Sequence, residues 1–60
     1  MDIETKAYKL RSTGIAGQVE IRNKSAGRSS YVRAQDLPSA HSLAMMHENA
    51  FNQLCAGLMQ

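Results

Sequence analysis

The 60-residue sequence predicts an α+β fold: a three-stranded antiparallel sheet with one C-terminal helix packed across one face, in the order β-β-β-α. Three observations predict it. Between residues 38 and 58, apolar side chains recur at steps of one, three or four, the period of a single helix face. Upstream, three short segments alternate apolar and polar residues with the period of two that a half-buried strand requires. Glycine-bearing stretches separate those segments at distances suited to tight turns.

The first strand is expected over about 5–12, with Tyr8 and Leu10 on one side and Lys9 and Arg11 on the other. Thr13-Gly14-Ile15-Ala16-Gly17 follows as a turn, with Ile15 a candidate staple onto the core. The second strand, 18–24, sets Val19 and Ile21 against Gln18, Glu20 and Arg22. Gly27 is the expected left-handed residue of the next turn. The third strand, 29–35, alternates Val32 and Ala34 with Tyr31, Arg33 and Gln35. Asp36 or Ser39 can cap the helix, and Pro38 fits its first turn, which needs no N–H there. The helix is expected over about 38–58, burying Leu43, Phe51, Leu54 and Leu58 at roughly 1.5–3 kcal/mol each. His47 falls within that stripe, either as a core-edge histidine with one satisfied nitrogen or as a pH-sensitive or metal-binding contact. Tyr8, Leu10, Val19, Ile21, Val32 and Leu37 should meet the stripe from the sheet.

Length sets the next constraint. Sixty residues are expected to make one domain, over 1–60, with a core too small for wide stability margins. The single cysteine, Cys55, excludes an internal disulfide and a cysteine-rich zinc site, and suits a reducing compartment. Self-association is the remaining staple, so a homodimer or larger homo-oligomer is one expectation. Its contact would use Met45, Met46, His47 and Met59, an adaptable methionine-rich surface. No segment is long and apolar enough for a membrane span, and the polar start is unlike a secretory signal. The expected location is the cytoplasm.

Catalytic chemistry has no constellation to stand on. His41 and His47 are six residues apart, about 120° around a helix, and neither sits in a zinc-ligand pattern. Gly14-x-x-Gly17 is too short for a phosphate-binding fingerprint. The sequence thus points to a non-enzymatic protein with no metal and no cofactor. Charge is the positive signal. All seven basic residues precede Ala34, where they outnumber three acidic ones to give +4, while residues 34–60 carry −2. Lys9, Arg11, Arg22, Tyr31 and Arg33 on the sheet face away from the helix, with Arg28 from the Lys24/Arg28 turn beside it, are therefore the candidate binding residues. Arginine suits bidentate contacts to carboxylates or phosphates.

The junction Tyr31-Val32-Arg33-Ala34-Gln35-Asp36-Leu37-Pro38-Ser39-Ala40-His41-Ser42-Leu43-Ala44 resembles one found in very small phage-encoded host-takeover proteins. In that pattern a strand ends in Ala-x-x-Leu, and Ala-x-x-Leu-Ala opens a helix after a short cap. The group includes anti-CRISPR proteins and inhibitors of bacterial RNA polymerase. The resemblance implies a non-enzymatic protein that occupies a surface of a host protein or nucleoprotein assembly in the bacterial cell. This chain departs from the acidic, DNA-mimicking members in its basic first half. The expected architecture is also similar to the three-stranded DNA-binding domains of some integrases and plant transcription factors. The alternative expectation is a small DNA-binding accessory protein that uses the same basic face on phosphates.

Overall fold

The computed structural model describes residues 2–60, and among them the α+β class and the antiparallel sheet are present, with four strands in place of three. The strands are β1 (Asp2–Glu4), β2 (Tyr8–Ser12), β3 (Gln18–Asn23) and β4 (Arg28–Arg33). They lie in the order β1-β2-β3-β4, each antiparallel to the next. A short 3-10 turn (Ala34–Asp36) leads to α1 (Ala40–Met45) and α2 (Glu48–Leu58).

The additional strand, β1, occupies the stretch before the expected first strand. Residues 5–7, expected to open that strand, instead make the turn between β1 and β2. Thr5 organises the turn: its hydroxyl oxygen accepts from the N–H groups of Ala7 (3.2 Å) and Tyr8 (3.1 Å). The same hydroxyl donates to Asn52 Oδ1 on α2 (2.7 Å), tying the turn to the helical layer. At the β3–β4 turn, Gly27 has φ 69° and its N–H donates to the Asn23 carbonyl (2.9 Å). Only glycine enters that region without strain.

The helix expected over 38–58 is broken at Met46 and His47, both in extended conformation. Neither Gly nor Pro marks the break. Its cause is tertiary. A continuous helix of that length would run ~30 Å, against strands of at most six residues, roughly 20 Å. Met46 and Cys55, nine residues apart, would also project to opposite sides of one helix, about 180° apart. In the broken arrangement both pack on the core. Ser39 caps α1, its Oγ accepting from the Ser42 N–H (3.1 Å).

The core lies between one sheet face and the helices. Leu10, Val19, Ile21, Leu43, Phe51 and Cys55 are buried, and Ile3, Tyr8, Val32, Leu37, Met46, Leu54, Leu58 and Met59 pack around them. Two expected core placements are corrected. Ile15, in the loop between β2 and β3, is 64% exposed. His47 is exposed at the N-terminus of α2, since the break removes it from the apolar stripe.

Candidate functional site

Strand alternation and register assemble the sheet face opposite the helices. One cross-strand row runs Asp2, Arg11, Glu20, Tyr31, and the adjacent row runs Glu4, Lys9, Arg22, Ser29. Gln18 and Arg33 pair at one end. Lys9, Arg11, Arg22, Tyr31 and Arg33 therefore share this face, as their alternation with buried neighbours implied. Arg28 does not. It opens β4 opposite Asn23, in step with Ser30 and Val32, which places it toward the helix-bearing side.

The face is less basic than its arginines suggest. On its strands, Lys9, Arg11, Arg22 and Arg33 stand among the carboxylates of Asp2, Glu4 and Glu20. Arg11 Nε is ion-paired with Glu20 Oε1, and Arg33 Nε with Asp36 Oδ2 (3.0 Å). At the rim, Lys24 Nζ meets Glu4 Oε2 (2.5 Å) and also donates to the Thr5 carbonyl (3.0 Å). Arg22 Nη1 reaches Ser29 Oγ at the hydrogen-bond limit of 3.5 Å.

Among the described residues Glu20 is the most enclosed charged side chain, 8% exposed. The Ser29 hydroxyl first, and the Arg11 guanidinium second, hold its carboxyl below the ordinary value, against the opposing effect of burial. Glu4 is likewise lowered, mainly by its hydrogen bond and charge interaction with Lys24, with a smaller contribution from Lys9. Tyr31, at 60% exposure, is the one large aromatic surface on the described part of this face.

The other candidates separate. Of the expected oligomer contact, Met45 (71% exposed) and His47 face solvent, whereas Met46 and Met59 pack against the core. Cys55 is fully buried, and burial pushes its thiol up to about 11, which makes it a poor nucleophile at neutral pH. Among the described residues no group of three His, Cys, Asp or Glu side chains is placed to hold a metal ion, and no pocket is present. Among the described residues no helix is long and apolar enough to cross a membrane. Sequence reasoning missed Asp2, Glu4 and Ser29 as members of the face. The strand DIE was too short to show its period, and the partnership of Ser29 with Glu20 depends on register.

Compared with protein-family models, curated proteins and solved structures, the chain matches none of them.

Proposed function

We propose that this is a small non-enzymatic binding protein of phage type, which occupies a host protein or nucleoprotein assembly through its open sheet face. The observation that carries the reading is the placement of exposed Tyr31 among Arg11, Arg22 and Arg33 on an open sheet face, with no pocket among the described residues. Arginine and tyrosine are enriched at the centres of protein interfaces, where both combine apolar area with directional hydrogen bonds. The working site is the bacterial cytoplasm.

Charge balance favours a protein target over nucleic acid. A duplex binder gains affinity by neutralising phosphates, and carboxylates interleaved with the cations oppose that. The alternating signs on this face suit a protein surface that carries both. The DNA-binding alternative keeps Lys9 and Arg22 as its strongest phosphate contacts.

The test is capture from bacterial lysate on the immobilised protein, with and without nuclease, at low and high salt. A defined protein that survives both treatments is the expected result. Nucleic acid alone, lost as salt rises, would transfer the face to the alternative function. The double variant Arg22→Glu, Arg33→Glu should release the captured protein while retaining the native circular dichroism spectrum. Unchanged capture by that variant would remove this face from the account.

A further inference from the structure

The outer edge of β4 has a defined backbone pattern. The Ala34 N–H donates to the Gly17 carbonyl (2.8 Å), which continues the β3–β4 ladder by one pair. Antiparallel pairs alternate between hydrogen-bonded and non-bonded. Counting from that bond, Val32, Ser30 and Arg28 direct their backbone groups to β3, while Ser29, Tyr31 and Arg33 direct theirs off the sheet. The Lys24 N–H bond to the Ala7 carbonyl (2.9 Å) gives the matching parity on the far side of β3. Among the described residues β4 pairs only with β3; it runs six residues without a bulge or proline, and its charges, Arg28 and Arg33, stand at its two ends.

We infer that β4 pairs antiparallel with β4 of a second copy, about a two-fold axis passing through Tyr31. The occupant follows from the self-complementarity of the edge. In one register, and only one, all three outward residues of each copy bond to the outward residues of the other: Tyr31 faces its own mate and Ser29 faces the second copy's Arg33. No like charges stand directly opposite. Ser30 then meets Val32, and the exposed Tyr31 rings come together as a cross-strand aromatic pair. A two-fold axis perpendicular to the sheet keeps both helical layers on one side. Two four-stranded sheets run on as one of eight, with a doubled open face. Half-buried Val32, at this edge, gains cover. A 60-residue chain with six buried apolar side chains among its described residues also has much to gain from self-association.

Sedimentation equilibrium without any added target tests this pairing separately from the proposed binding function. The wild type should approach twice the 6.6 kDa of one chain as concentration rises. Tyr31→Lys or Tyr31→Glu places two like charges on the axis and should weaken association roughly tenfold or more. An equimolar mixture of the two variants should restore the dimer. A chemically synthesised chain with an N-methyl group on the Tyr31 amide keeps every side chain and the internal ladder, and should also be monomeric. A wild type that stays monomeric at about 1 mM, an N-methylated chain that dimerises normally, or a mixed pair that does not associate, each overturns the inference.

Discussion

The two faces of the sheet are held by different physics. On the helix-bearing side, Leu10, Val19 and Ile21 meet Leu43, Phe51 and Cys55 with almost no solvent access. On the open side, cohesion comes from cross-strand and rim contacts; exposed ion pairs such as Lys24 with Glu4 contribute little. Stability is thus concentrated in one layer, and the other can present charge and aromatic surface with small effect on folding.

The most severe way to probe that division is Phe51→Ala. Emptying this buried site should cost about 3–5 kcal/mol, comparable with the whole stability of about 3–9 kcal/mol expected for a chain of this size. Urea unfolding measures it, and a loss under about 1 kcal/mol would mean the core is not organised around Phe51. Thr5→Val examines the seam between the layers. It removes a hydroxyl that serves two backbone N–H groups and Asn52, and should cost about 1–3 kcal/mol. An unchanged midpoint would detach the turn from the helical layer.

Acid examines the open side. Glu4 and Glu20 are both held below their ordinary value of 4.5, so they bind protons more weakly folded than unfolded. The stability they contribute is present above 4.5 and is lost as pH falls through their folded values. Thermal melts should therefore show a midpoint that drops on acidification below 4.5, and Glu20→Gln should flatten part of that dependence. A wild-type profile level through this range would contradict the ion-pair geometry. The smallest effect is expected from Arg22→Glu, Arg33→Glu, within about 1 kcal/mol of wild type. A larger loss would give the open face a structural role that the comparison denies it.

Much of this contrast was legible in the sequence because face assignment follows from period alone. Val19 and Ile21 alternating with Glu20 and Arg22 placed β3 correctly on both sides. Leu43, Phe51, Leu54 and Leu58 marked the helical surface in the same way. What depended on distant partners was not legible. Three residues of β1 carry a single alternation, and their pairing with β2 makes them a strand. The break at Met46 and His47 follows from the size of the sheet beneath it. The candidate site divides likewise. Period two collected Lys9, Arg11, Arg22, Tyr31 and Arg33, but register put Glu20 beside Arg11 and Arg28 toward the other side.

The strand order has a kinetic consequence. Every strand pairs with its neighbour in sequence, so each hairpin closes over a short loop at low entropic cost. The sheet can zip stepwise from any of its turns. The hydrogen bond between Thr5 and Asn52 spans 47 residues and carries the largest closure cost of the side-chain bonds described. Docking of α2 onto the first turn therefore closes the longest loop of the chain's described side-chain bonds, and it covers the apolar sheet face that the hairpins alone leave open.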